Sequence, residues 1–141
     1  MDHLAILKKQ LHLLHKILAG EKIIESRWYK TKKIPFNRIK EGDTVYFKES
    51  GGHVSVKAIV QKVIQYEDLT ETKIHNILHI YEKELGIKAN EYINNVKDKK
   101  YGILIFLENV EELTPFKIDK KGFGSQSSWI TVETIAEIQR Y

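Results

Sequence analysis

Apolar residues recur at Leu4, Leu7, Leu11, Leu14 and Leu18, a stripe with helical spacing that Gly20 would end. The stripe predicts an opening helix, although the first few residues also suit a short strand. The period then shortens. A strand is expected over about 23–28, with Ile24, Ser26 and Trp28 on one face and Ile23, Glu25 and Arg27 on the other. Ile34-Pro35-Phe36 interrupts the next stretch, because proline biases Ile34 away from helix and removes a ladder donor. Turns at Glu41-Gly42-Asp43 and Ser50-Gly51-Gly52 bracket a strand from Thr44 to Lys48. Val54, Val56, Ala58 and Val60 alternate with Ser55, Lys57 and Gln61, giving a long half-buried strand that closes a hairpin.

Around Thr70 the helical period returns. Thr70 or Thr72 caps a helix carrying Ile74, Ile77, Leu78, Tyr81 and Leu85, closed by Gly86, and a second short helix covers Ala89 to Val96. Tyr101 to Leu107 is a near-continuous apolar run and predicts a central strand. A Gly/Ser-rich loop, 121–128, leads into the strand-like Trp129-Ile130-Thr131-Val132. Strands dominate the middle and end with helices inserted between them, which predicts one α+β domain over 1–141 with a small barrel-like sheet.

Composition narrows the class. The hydrophobic fraction of 42% and charged fraction of 30% suit a soluble globular chain. No apolar run approaches membrane-spanning length, and lysines and histidines interrupt any signal-peptide pattern near the start. The lack of cysteine excludes disulfides and thiolate metal sites and agrees with a cytoplasmic location. Charge is unevenly placed: Lys22, Arg27, Lys30, Lys32, Lys33, Arg38 and Lys40 face one acid, Glu25, within 22–40. That segment carries +6 against +4 for the whole chain, leaving −2 elsewhere. Basic charge beside aromatic rings is the footprint of a nucleic-acid binder.

The chemistry concentrates in Gly20-Glu21-Lys22-Ile23-Ile24-Glu25-Ser26-Arg27-Trp28-Tyr29-Lys30. A cation, a carboxylate, a hydroxyl, a guanidinium and two rings suit a pocket for something planar, polar and anionic. Other constellations fail. His75-Asn76-Ile77-Leu78-His79 has zinc-protease spacing, but Asn76 stands where the general base is needed and no third ligand is apparent, so these are expected as surface helix residues. His3, His12 and His15 suggest no metal. Gly122-Phe123-Gly124-Ser125 matches neither a nucleophile elbow nor a phosphate loop.

Taken together, Gly20-x-Lys22-x-x-Glu25-Ser26-Arg27 resembles the early G-x-K-x-x-E-x-R signature of the ASCH family of the PUA-like superfamily. Ile39-Lys40-Glu41-Gly42-Asp43-Thr44-Val45-Tyr46-Phe47 resembles the family's G-D strand start, and Pro115-Phe116 and Ser128-Trp129 are similar to segments of longer members. The resemblance implies a small PUA-like β-barrel of mixed sheet with flanking α-helices, and a cleft holding Lys22, Glu25 and Arg27. It also implies binding of RNA or of modified bases, or enzymes that deacetylate N4-acetylcytidine or cleave RNA. The amidohydrolase members carry a threonine, their proposed nucleophile, where this chain has Glu25, so that activity is not carried over.

The expected function is therefore an RNA- or nucleotide-binding module for single-stranded RNA or a modified base, without cofactor or membrane partner. Arg27 and Lys22 would contact phosphate or base edge, Glu25 would accept from an exocyclic amine or orient Arg27, and Ser26, Tyr29 and Ser128 would line the site. Lys30, Lys32, Lys33 and Lys48 would attract phosphate, and Trp28 or Trp129 would stack a base. The alternative is an enzyme acting on RNA or a modified nucleoside, with Lys22 or Glu25 as general base.

Overall fold

Residues Asp2–Leu7 form strand β1 rather than the opening turns of a helix. The computed structural model, which describes residues 1–120, 122–124 and 127–140, places β1 between two other strands. Both faces are covered: Ala5 and Leu7 enter one apolar cluster, while Leu4 enters another. Burial on both faces favours a strand whatever the spacing of the leucines. The helical part of the stripe survives as a 3-10 turn at Lys9–Leu11 and α1 at Leu13–Leu18, joined through His12 at φ +53°.

The remaining elements keep the expected order, except that the helix expected through Leu85 divides at Tyr81 and a short strand is added near residue 140. They are β2 (Ile24–Tyr29), β3 (Thr44–Glu49), β4 (Val54–Tyr66), α2 (Glu71–Ile80), α3 (Glu82–Leu85), α4 (Ala89–Val96), β5 (Tyr101–Ile118), β6 (Trp129–Val132) and β7 (Gln139–Arg140). The Thr70 hydroxyl accepts from the Lys73 N–H at 3.3 Å and caps α2. Gly86, at φ +69°, closes α3. The expected loop residues Lys121, Ser125 and Gln126 lie outside the described residues.

The strands form one mixed sheet in the order β2-β5-β4-β3-β1-β6, with β7 on the far end of β5. Among the described residues only β1 and β3 run parallel. Tyr101–Leu107 is central, as expected, but it is the first part of an 18-residue strand. The β4–β5 pairing slips register three times, between Val54 and Val56, Lys57 and Ile59, and Val60 and Lys62. Each irregularity adds local bend and twist, and the sheet curls into a half-barrel.

Three apolar clusters fill the fold. The inside of the curl holds Phe47, Val56, Ile103 and Ile105 under α1 and under Phe36 and Ile39 of the basic loop. The helices α2–α4 cover the other face of β2 and β5 through Ile74, Leu78, Leu85, Ile24 and Leu104. A third cluster joins β6 to the far end of the sheet. Trp28 belongs to the helix-side cluster and lies across Gly102, where a Cβ would sit 2.7 Å from indole Cζ3. No helix among the described residues is long and apolar enough to cross a membrane.

Candidate functional site

Strand β2 splits its side chains as alternation requires. Ile24 and Trp28 face the helices, and Glu25, Arg27 and Tyr29 face the other way. Ser26 stays on the helix side, where its hydroxyl accepts the Trp28 indole N–H at 3.0 Å. Trp28 is therefore core material fixed by one hydrogen bond, not an open surface for a base.

Lys22 precedes the strand and is only 2% exposed. Its Nζ donates to the carbonyls of Ile24 at 2.6 Å and Leu85 at 2.9 Å, and lies 3.6 Å from Glu25 Oε1. The stem passes under Gly86, where a Cβ would approach Lys22 Cβ to 3.2 Å. Burial pushes the Lys22 ammonium below its ordinary pKa, and the Glu25 charge offsets part of that shift. Lys22 thus steadies a carboxylate from behind. It does not line the cavity, which corrects its expected role as a phosphate contact.

Glu25 is the hinge of the cluster. Its Oε1 accepts the Ser26 N–H at 2.9 Å, and Oε2 accepts from the Arg27 guanidinium at 3.2 Å. Arg27 also donates to the carbonyls of Ser128 at 3.2 Å and Ile6 at 3.3 Å. Three of its five N–H donors are committed among the described residues, so the guanidinium keeps donor capacity. Its carbon lies 5.2 Å from the Trp129 ring centroid, a cation–π contact. Trp129 itself is 4% exposed and is covered by Arg27 on that side.

A cavity of about 300 Å³ opens over this cluster, lined by Leu7, Glu25, Ser26, Arg27, Tyr29 and Tyr92 among others. A second, of about 670 Å³, shares Tyr29 and Ser128 with it and adds Lys33, Ile34, Ser127 and Trp129. Tyr29 and Tyr92 line the first cavity together with Trp28, and Trp129 lines the second. Burial, reinforced by the Glu25 charge, pushes the Tyr92 phenol up, and burial raises Tyr29 too. A third hollow of about 630 Å³ adjoins the first through Leu11, Leu13, Tyr92 and Asn95.

The lysines disperse. Lys33 Nζ lies 5.7 Å from the Tyr29 ring and joins the cleft. Lys30 pairs with Asp98 at 3.1 Å and Lys32 with Glu67 at 3.2 Å, so the basic segment is partly neutralised by acids from elsewhere. These exposed pairs contribute little to stability. Lys48 does not join the cleft. It shares the Tyr46 face of β3, opposite Phe47, and burial with the nearby Lys120 charge lowers its pKa.

Sequence reasoning missed a buried polar chain behind Trp129. His3 is fully buried on β1, with Nε2 2.8 Å from Asp43 Oδ2. Its Nδ1 accepts the Trp129 indole N–H at 3.2 Å and stands 3.0 Å from Thr131 Oγ1. Burial lowers the His3 pKa against the opposing pull of Asp43. Burial alone would raise the Asp43 carboxyl, but bonds from His3 and the Lys40 N–H bring it below its usual range. A histidine inside an apparent leucine stripe gave no signal, and Asp43 read as a turn residue. Tyr92 was hidden within a helix. Among the described residues, no three His, Cys, Asp or Glu side chains come together as metal ligands.

The arrangement superposes on known structures over nearly its full length. The ASCH protein from Zymomonas mobilis matches with a TM-score of 0.71 at 13% identity, covering 99% of this chain and 96% of that one. The fold is that of ASCH domains. A tyrosine-to-phenylalanine variant of the same Zymomonas mobilis protein gives a TM-score of 0.69 over 99% of both chains, at 13% identity. A hypothetical protein aligns less fully, with a TM-score of 0.53 and 22% identity over 77% of this chain and 98% of its own. No family model and no curated protein matches the sequence. In this ASCH fold Arg27 links strands from opposite ends of the sheet order, reaching from β2 to the Ile6 carbonyl of β1 and the Ser128 carbonyl just before β6.

Proposed function

We propose that the chain binds RNA through one unstacked nucleotide held in the cavity over Glu25 and Arg27. The observation that carries this reading is the Glu25–Arg27 pair at the floor of a cavity flanked by Tyr29 and Tyr92. The cavity sits at the lower end of the roughly 300–1,000 Å³ range of small-molecule pockets. Glu25 accepts from exocyclic amines, the remaining Arg27 donors meet a phosphate or base edge, and a tyrosine ring stacks the base. The adjoining cavity, with Lys33 and the Ser127 and Ser128 backbone, suits the sugar–phosphate chain on either side. Single strands fit this geometry because rings reach only unstacked bases.

The test is fluorescence anisotropy of labelled single-stranded RNA with wild type, Arg27→Ala and Lys33→Glu at low and physiological salt. Micromolar binding that weakens with salt and falls at least tenfold in the folded Arg27→Ala protein supports the proposal. An absence of binding by the wild type overturns it.

A second reading, an enzyme acting on RNA or a modified nucleoside, is favoured by the placement of Glu25, which is 3% exposed yet lines the cavity. In that role its carboxylate takes a proton from an attacking hydroxyl or water. RNA recovered intact after long incubation with wild type would remove the nuclease form of this reading.

A further inference from the structure

We propose that His75, His79 and Asn90 form a divalent transition-metal site that joins α2 to α4, away from the cleft. His75 and His79 are one turn apart on α2, and their Nε2 atoms face each other at 3.1 Å. Asn90, from the first turn of α4, brings Oδ1 to 3.0 Å from His75 Nε2. Polar atoms from two helices therefore gather about His75 Nε2.

Hydrogen bonding satisfies this cluster poorly. A neutral imidazole carries one proton, on either nitrogen, and an amide oxygen carries none. One N–H directed inward serves one neighbour and leaves the other lone pairs converging. A cation in place of that proton is bound by all three atoms at once.

The spacing suits such an ion. A tetrahedral zinc with bonds of about 2.0–2.1 Å to nitrogen spans about 3.3 Å between two ligands, so shifts of a few tenths of an ångström suffice. Two imidazoles and one amide oxygen select zinc, nickel or copper over magnesium and calcium, which prefer an all-oxygen shell. His79 and Asn90 are exposed, so the ion enters directly from solvent, and water fills the remaining position. The sequence pattern hid the site because the third ligand comes from a different helix and is an amide. Since α4 also carries Tyr92, a bound ion would tie the wall of the 300 Å³ cavity to α2.

The experiment uses the untagged full chain with zinc chloride in thermal unfolding and with cobalt(II) in visible absorption. Wild type should show a Tm rise of about 3 °C or more at millimolar zinc, and a cobalt band displaced by zinc. His75→Ala and His79→Ala should each abolish both signals while keeping the far-ultraviolet spectrum, and Asn90→Ala should weaken zinc binding severalfold. The double variant His12→Ala/His15→Ala should behave as wild type. No zinc effect on wild type, survival of the effect in His79→Ala, or unchanged affinity in Asn90→Ala would each overturn the site.

Discussion

The indole N–H of Trp129 donates to His3 Nδ1 at 3.2 Å, and this contact settles the tautomer of a fully buried histidine. With Nδ1 accepting, the proton resides on Nε2 and points at Asp43 Oδ2, 2.8 Å away. The same indole carries the Arg27 guanidinium on its face. A chain of oriented groups thus runs from Asp43 to the cleft.

Acid should weaken the fold through this chain. The folded His3 pKa lies below the ordinary value near 6.5, so above that pH neither folded nor unfolded protein holds the proton. As pH falls through about 6.5 the unfolded chain protonates first, and stability is lost from there downward. Asp43 adds a second loss at lower pH, because its depressed carboxyl favours the folded state only while ionised. Urea midpoints of wild type should fall between pH 7 and pH 5, with a shallower slope in His3→Gln. An equal slope in the two proteins would remove His3 as the cause.

Glu25 and Lys22 should prove strongly coupled. Glu25→Gln leaves the Lys22 ammonium buried against two carbonyls without its counter-charge, at a cost of about 3–5 kcal/mol. In a Lys22→Met background the same change should cost much less, because no buried charge is stranded. A double-mutant cycle by chemical denaturation measures the difference, and additive costs would show the pair to be independent.

Gly102→Ala should destabilise by about 1–3 kcal/mol, since the new methyl meets two atoms of the Trp28 ring within 2.8 Å. Pairing it with Trp28→Leu should recover part of the loss, because the clash disappears with the ring. Thermal unfolding of the three variants reads this directly. Without recovery, the strain would have to come from the Leu69 methyl, 3.2 Å from the new Cβ, or from the backbone.

Arg27→Lys should fold yet bind RNA at least tenfold more weakly than wild type. One ammonium cannot satisfy Glu25 and the carbonyls of Ser128 and Ile6 in the geometry of a planar fork, nor lie flat on Trp129. Anisotropy titration at fixed salt is the measurement. Binding equal to wild type would mean that charge alone, and not the fork, is what the cleft supplies.

Local pattern carried much of this fold and less of its site. The hairpin of β3 and β4, the capped helix after Thr70 and the central Tyr101–Leu107 run were readable because period and turn chemistry agree there. Residues 2–7 misled because helical spacing and a doubly buried strand share the same leucines, and only the partners β3 and β6 decide between them. Glu25 and Arg27 were readable as sharing a face, since β2 alternation is local, whereas Lys22 precedes the strand and joined them only through the family resemblance. Their division of labour was not readable, because the Leu85, Ser128 and Ile6 carbonyls that fix Lys22 and Arg27 come from distant segments.

Strand β1 meets β6 across a sequence separation of 128 residues, as between His3 and Thr131. During synthesis β1 must wait, one edge unpaired, until the residues of β6 have emerged. The carbonyl of Ser128 and the ring of Trp129, which hold Arg27, arrive in that same stretch. Closing the sheet and assembling the cleft are therefore a single late event. A nascent or shortened chain lacking β6 would present an open β edge and no finished cleft.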